Sequence, residues 1–182
     1  EYCRNLFIIT IFINIDMVCM LLNPGKIYEL LFNHFGSQEW WPVDKEYHKK
    51  RDSDPRFEII IGAILTQNTA WANVEKALAN LKLNDSLTVK KIVEIDTEKL
   101  KIMITPSGYF NQKAKRLKIL ASHVYKNYNN LDTFLNRELQ EIRRELLSLN
   151  GIGSETADSI LLYAGNHPVF VVDAYTKRLC KR

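Results

Sequence analysis

Apolar residues recur at helical spacing along most of the chain, and almost every periodic segment predicts an α-helix. Pro24 begins one segment and Gly36 ends it, while Phe57–Leu65 is apolar on nearly all sides, which predicts a helix buried at the centre. Further helices are predicted at 70–82, 87–92, 98–104, 111–127, 131–134, 138–148 and 154–164, with a polar loop at 37–55. The pattern therefore predicts an all-α protein.

The two ends of the chain depart from this pattern. Residues 1–22 are strongly apolar but too short and too interrupted for a transmembrane helix, so we expect an extraneous or disordered segment with Met17 or Met20 as the natural start. Residues 169–172 are apolar and β-branched, which we interpret as an extended linker into a last helix. Because the chain stops within that pattern at Arg182, we expect a truncated C-terminal part.

Composition narrows the class of protein. The 182 residues are 46% hydrophobic and 25% charged, and only 7 glycines and 5 prolines argue against disorder and against a turn-dense β fold. The net charge of +4 is a mild bias toward acidic partners. Three cysteines, Cys3, Cys19 and Cys180, fit neither a disulfide framework nor a zinc site, which predicts an intracellular protein without a metal in these residues.

The segment 149–153, between two predicted helices at about 138–164, carries the most specific signal. Two glycines, Gly151 and Gly153, flank Ile152 and allow a tight turn that Ile152 can plug. The amides of Gly153 and Ser154 then lie at a helix start, where they form an anion site. This pattern is typical of a helix-hairpin-helix, which binds DNA phosphate without reading sequence. An ordinary helix–turn–helix connection is the alternative.

Asp173 follows the apolar segment at the start of the last predicted helix. Taken alone, an acid at this place indicates a helix N-cap. A fixed carboxylate can also stabilise positive charge that develops during a reaction, as in the cleavage of a glycosidic bond. The N-terminal end of a helix favours the ionised form that this role requires.

The hairpin, the Gly/Pro loop after it and Asp173 together resemble the helix-hairpin-helix (HhH-GPD) base-excision DNA glycosylases of the endonuclease III superfamily, over roughly residues 24–182. Among these, the chain is most similar to the endonuclease III-type 3-methyladenine glycosylases, through Trp40-Trp41-Pro42, the Gln67–Thr69 segment and residues 106–116. The resemblance implies a two-lobed fold, with a helical barrel at 47–165 and a partial second lobe formed by 23–46 and 166–182.

The resemblance also implies a role for each part of the site. Asp173 assists bond cleavage, and Gln67 or Asn68 fills the gap that a flipped nucleotide leaves in the duplex. The flipped base lies against Trp40, Trp41, Pro42 and Trp71. The DNA backbone is held by Gly151, Ile152, Gly153, Ser154, Thr156, Lys113 and Lys115.

One hairpin position distinguishes two kinds of glycosylase. Family members that also cut the strand carry a nucleophilic lysine where this chain has Glu155, so we expect a monofunctional enzyme without AP lyase activity. The tryptophans favour an alkylated purine such as 3-methyladenine, which is cationic and a good leaving group. The alternatives are a glycosylase for uracil or thymine mispaired with G or for oxidised guanine, a non-catalytic DNA-binding module, and a purely structural helical domain.

The predicted glycosylase function also indicates the expected partners, cellular location and cofactors. We expect a monomer that binds double-stranded DNA containing a damaged or mispaired base, in the cytoplasm or nucleoid and not at a membrane. No cofactor is expected in this chain, and a [4Fe–4S] cluster would require a C-terminal extension that supplies four cysteines.

Overall fold

A computed structural model describes residues 24–38, 40–128 and 130–181 of the chain. The prediction of an all-α protein is confirmed, since these residues form eleven α-helices and no strand. The helices are α1 (Pro24–Phe35), α2 (Lys45–Arg51), α3 (Pro55–Leu65), α4 (Trp71–Leu83), α5 (Val89–Glu94), α6 (Thr97–Ile104), α7 (Phe110–Asn127), α8 (Leu131–Leu135), α9 (Leu139–Ser148), α10 (Ser154–Ser159) and α11 (Ala174–Cys180). A 3-10 turn (Thr105–Ser107) precedes α7, and a π-helical turn (Ile160–Ala164) continues α10.

The chain divides into two compact units. The core unit comprises residues 41–171, and the terminal unit comprises the described residues among 1–40 and 172–182. The core unit contains residues 47–165, and Trp41, Val43 and Val169 outside these limits pack against its hydrophobic core. The division into a helical barrel and a second lobe stays a prediction. The predicted extraneous or disordered segment 1–22 lies outside the described residues.

Helix α3 occupies the centre of the core unit. Every residue from Phe57 to Leu65 is buried, which confirms the expectation drawn from its apolar character. Asp54 caps the helix by accepting from the Arg56 amide at 2.9 Å, and Pro55 occupies the first helical position, where its missing N–H costs nothing. The helix packs against α4, α7 and the π-helical turn, so its ends fix the starting points of the loops described below.

The segment before α3 is not entirely the polar loop that the sequence predicts, because Lys45–Arg51 within it form helix α2. Its sequence, Lys45–Arg51, has no apolar stripe, but Asp44 caps its first turn. His48 is buried and its Nε2 lies 2.7 Å from Glu58 Oε2 on α3. Lys82 of α4 places its Nζ 2.7 Å from Glu58 Oε1. A buried polar contact between distant residues therefore stabilises this helix, which hydrophobic periodicity does not reveal.

The terminal unit contributes α1 and α11. Helix α1 begins at Pro24 and ends before Gly36, which has φ +68, as its sequence predicts. Residues 169–173 are irregular, as expected for a linker, and do not form a strand. Helix α11 begins directly after Asp173. None of the helices in the described ranges has the length and apolar character needed to cross a membrane.

Candidate DNA-binding and base-excision site

The predicted hairpin consists of α9, the loop at 149–153 and α10, all within the core unit. Gly151 has φ +87, a conformation that other residues rarely adopt, and a Cβ there would lie 2.3 Å from Arg116 Nε. Ile152 is only 5% exposed, so its side chain fills the space between the helices. The side chain thus has the position between the helices that the sequence predicts, and the role of Ile152 in holding the DNA backbone stays a prediction.

The first turn of α10 presents free amides to the surface. Gly153 is the N-cap, has open space around it and supplies no capping side chain. The first helical hydrogen bond runs from the Ala157 N–H to the Gly153 carbonyl at 2.9 Å, so the amides before Ala157 have no intrahelical acceptor. Ser154 and Glu155 are exposed in this turn. This geometry suits an anion, and the role of Gly153 and Ser154 in holding phosphate stays a prediction.

The α3–α4 loop (residues 66–70) contacts the hairpin through Gln67. Its Nε2 donates to the Gly151 carbonyl at 3.1 Å and to Thr156 Oγ1 at 2.9 Å. Its Oε1 accepts from Arg116 Nη1. The Thr156 side chain is buried, and its hydroxyl is used inside the protein. The hydroxyl is therefore not a candidate for contact with DNA, and a role of the Thr156 amide in holding the DNA backbone stays a prediction.

The structure separates the two candidates for filling the gap in the duplex. Gln67 is half-buried and its amide group is bound to the hairpin, as described above. Asn68 is exposed, has φ +52 and makes no side-chain hydrogen bond within the described residues. Asn68 therefore lies at the exposed tip of the loop, while Gln67 joins the loop to the hairpin.

Lys113 lies inside the protein, on the second turn of α7. Its side chain is only 1% exposed, and its Nζ donates to the Leu65 carbonyl at 2.8 Å, to Thr69 Oγ1 at 2.7 Å and to the Ser107 carbonyl at 2.7 Å. An ammonium with three internal acceptors cannot also reach a phosphate, so the prediction that Lys113 contacts the DNA backbone is wrong. Lys115 is exposed and keeps that predicted role.

Lys113 should give folding stability a specific pH dependence. Burial, and secondarily the Arg116 guanidinium, lower the pKa of Lys113 from its ordinary value of 10.5 to about 8. Between these values the unfolded chain binds a proton that the folded protein has released, so the free energy of unfolding rises with pH. We expect a rise of up to about 3 kcal/mol relative to Lys113→Met between pH 8 and 10.5, measured by urea unfolding. Parallel pH profiles for the two proteins would contradict this pKa.

Three aromatic rings form a cluster on α3. The ring centroids of Trp41 and Trp71 are 5.5 Å apart with the planes at 81°, and those of Trp41 and Tyr163 are also 5.5 Å apart. A Cβ at Gly62 would lie 2.9 Å from Trp41 Cζ2, so the glycine gives this ring its place. The structure thus brings together two predicted pocket residues, Trp41 and Trp71. Tyr163 was not predicted, since nothing in its local sequence relates it to Trp41.

Pro42, Trp40 and Asp173 complete the set of predicted pocket and catalytic residues. Pro42 is exposed in the core unit, and Trp40 belongs to the terminal unit, where it is 43% exposed. Asp173 also belongs to the terminal unit and is the N-cap of α11, with Oδ1 accepting from the Thr176 amide at 2.7 Å. Its Oδ2 accepts no hydrogen bond from the described residues. The cap geometry holds the carboxylate in place and leaves one oxygen available for chemistry.

The expectation that this chain binds no [4Fe–4S] cluster stays a prediction. Such a cluster is bound by four cysteine thiolates, whereas these 182 residues contain three cysteines. Cys180 is the one cysteine in the described ranges, where no group of His, Cys, Asp and Glu residues is arranged to hold a metal ion.

Comparison with known proteins places this arrangement in a family. A model of the HhH-GPD superfamily of base excision DNA repair proteins matches residues 61–182. A protein of Methanocaldococcus jannaschii that carries the name of a DNA repair glycosylase is 48% identical over 159 residues, which are 86% of this chain and 68% of that protein. The structure of a Helicobacter pylori 3-methyladenine DNA glycosylase bound to 1,N6-ethenoadenine matches with a TM-score of 0.71 and 34% identity, over 88% of this chain and 73% of the other.

The chain also matches endonuclease III, but the match covers a smaller share of that protein's length. The enzyme of Haemophilus influenzae is 32% identical over 126 residues, and the match covers 69% of this chain and 56% of that protein. The chain thus spans little more than half the length of this relative. The family model covers most of the chain, and the Methanocaldococcus relative is matched over two thirds of its length. The chain therefore belongs to the HhH-GPD superfamily of base excision DNA repair proteins, the family of DNA glycosylases that its sequence resembles.

Proposed function

We propose that the protein is a monofunctional DNA glycosylase that removes alkylated purines such as 3-methyladenine. The observation that carries this proposal is the aromatic cluster of Trp41, Trp71 and Tyr163, seated on α3 at Gly62. A flipped base needs flat faces for stacking, and tryptophan is the best partner for a cationic ring. The 34% identity to a 3-methyladenine glycosylase supports the same substrate class.

Asp173 supplies the chemistry in this proposal. As the bond between base and sugar breaks, positive charge develops on the sugar, and a fixed carboxylate stabilises that charge and helps water to attack. Oδ1 is bound to the Thr176 amide, while Oδ2 is left for the sugar or the water. An alkylated base leaves readily, so a single carboxylate is sufficient for catalysis.

The protein binds the duplex around the damaged nucleotide. The free amides at Gly153 and Ser154 hold a backbone phosphate, with Lys115 contributing charge. The exposed α3–α4 loop, through Gln67 or Asn68, occupies the gap left by the flipped nucleotide. These contacts read no sequence, which suits an enzyme that must find damage anywhere in DNA. We propose that it acts as a monomer inside the cell.

A panel of duplexes tests the substrate class. One duplex is methylated so that it carries 3-methyladenine, and the others carry uracil opposite G or 8-oxoguanine. Hot alkali reveals the abasic sites that excision leaves, relative to the same duplexes without protein. We expect alkali-dependent breaks at the alkylated adenine and none at the other two. Excision of uracil or 8-oxoguanine instead would replace the proposed substrate with the alternative one, and binding without excision of any base would indicate a non-catalytic module.

The absence of a nucleophilic lysine gives a separate prediction. Glu155 is exposed on the first turn of α10, and a carboxylate cannot form the Schiff base through which a lysine cleaves the strand. Borohydride added during the reaction should therefore trap no covalent protein–DNA adduct, and strands should remain intact until alkali is added. A trapped adduct would show that another amine serves as the nucleophile and would refute the monofunctional mechanism.

A further inference from the structure

The buried Lys113 ammonium joins three segments that precede or follow helices. The Leu65 carbonyl lies at the end of α3, where helical carbonyls have no intrahelical donor. Thr69 lies in the α3–α4 loop, and Ser107 closes the 3-10 turn before α7. Each acceptor lies 2.7–2.8 Å from Nζ, so all three N–H groups of the ammonium are used. Both ends of the α3–α4 loop are thereby fixed to one atom of α7.

Arg116 extends this arrangement to the middle of the loop. It lies three residues after Lys113 and hence on the same face of α7. Its side chain covers Gly151 and its guanidinium donates to Gln67, whose amide in turn donates to the Gly151 carbonyl. Lys113 and Arg116 together connect the α3–α4 loop, the turn before α7 and the hairpin.

The interior is an unfavourable place for the Lys113 side chain unless its charge stabilises a particular structure. An ammonium in the interior costs free energy even when it is hydrogen-bonded, and an apolar residue would fill the same volume. The three acceptors belong to the end of α3, to the α3–α4 loop that is predicted to enter the duplex, and to the turn before α7. The free energy that burial of the ammonium costs is therefore offset by bonds that fix the conformation of these segments.

We propose that Lys113 is a positioning residue for base excision, which holds the α3–α4 loop in the conformation that enters the duplex. This inference rests on the proposed function. Lys113 touches neither the base nor the sugar and acts through the loop. A loop that is displaced in the complex leaves the flipped nucleotide poorly held, and misplacement of a reacting group slows the chemical step.

The chain offers a matched control in Lys118. It lies on the same helix and donates to the Val93 carbonyl at 3.0 Å and to the Ile95 carbonyl, at the connection between α5 and α6. Lys113→Met and Lys118→Met each remove an ammonium that is bound to backbone carbonyls. We expect Lys113→Met to lower the single-turnover excision rate at saturating DNA roughly tenfold, with the affinity for DNA little changed. Lys118→Met should lose thermal stability and keep the wild-type rate.

A milder variant covers the case in which Lys113→Met fails to fold. Thr69→Val removes one of the three acceptors, together with the donation of that hydroxyl to the Ser107 and Gln67 carbonyls, and leaves the lysine in place. We expect a smaller loss of rate in the same direction. The proposal would be overturned if Thr69→Val excised at the wild-type rate. It would also be overturned if Lys113→Met and Lys118→Met lost the same share of the rate at matched fractions of folded protein.

Hydrogen exchange on the DNA-free protein tests the positioning independently of activity. The Gln67 amide donates to the Ile64 carbonyl of α3, the Thr69 amide donates to the Thr66 carbonyl within the loop, and the Gly108 amide donates to the Thr105 carbonyl in the adjacent turn. Their exchange should become faster in Lys113→Met and Thr69→Val and stay unchanged in Lys118→Met. If the wild type excises no base, the proposed function fails while this measurement still decides whether Lys113 positions the loop. Unchanged exchange in both variants would show that it does not.

Discussion

Asp173→Asn should lower the rate of base excision roughly 1,000-fold while leaving the affinity for DNA nearly unchanged. The neutral amide cannot stabilise the positive charge that develops on the sugar as the base departs. Its oxygen can still accept from the Thr176 amide, which Asp173 now binds at 2.7 Å, so α11 keeps its cap. Single-turnover excision from methylated DNA, with binding measured separately, checks both halves of this expectation.

The same substitution at another cap separates chemistry from helix capping. Asp96 is the N-cap of α6, and its Oδ1 accepts from the Glu98 and Lys99 amides at 3.0 and 3.1 Å. Asp96→Asn should excise at the wild-type rate. If Asp173→Asn also did so, Asp173 would be a helix cap and no more, and the proposed mechanism would fail.

Trp41→Ala should lower excision of a methylated purine roughly 100-fold, because stacking and the cation–π contact are both lost. Trp41 packs against the hydrophobic core as well, so the variant will also be less stable. Trp41→Phe keeps an aromatic face at this place and should recover much of the rate. Rates are compared at a temperature where all variants are folded.

A change at Gly62 moves the ring without removing it. Alanine is normally the better helix residue, but here its Cβ would lie 2.9 Å from Trp41 Cζ2 and displace the indole. Gly62→Ala should therefore slow excision of the methylated base while every aromatic side chain is retained. Wild-type rates in both Trp41→Ala and Gly62→Ala would show that the cluster is structural and does not contact the substrate.

The parts of the fold that depend on local sequence were predictable. The apolar segment Phe57–Leu65 predicts a central helix, and all of these residues are buried. The glycines around Ile152 predict a tight turn, and Gly151 has the positive φ that such a turn requires. Asp173 takes the N-cap position that its place before a helix indicates.

Other features depend on contacts between distant residues, which a single sequence does not display. Helix α2 is stabilised by the pairing of His48 with Glu58, ten residues further along the chain. Lys113 belongs to a basic segment typical of a solvent-exposed helix face, yet its acceptors include the Leu65 carbonyl, 48 residues away. Tyr163 reaches Trp41 only through the packing of the π-helical turn on α3. Polar and aromatic contacts of this kind determine the candidate site more than periodicity does.

The most direct test of the proposed function is the identity of the base that the protein releases. Wild-type protein is incubated with DNA treated with a methylating agent, and the free bases are separated and identified by mass spectrometry over time. Release of 3-methyladenine by the wild type but not by Asp173→Asn, from strands that break only after alkali treatment, is the predicted result. Intact methylated DNA after prolonged incubation with folded, DNA-bound wild-type protein would contradict it.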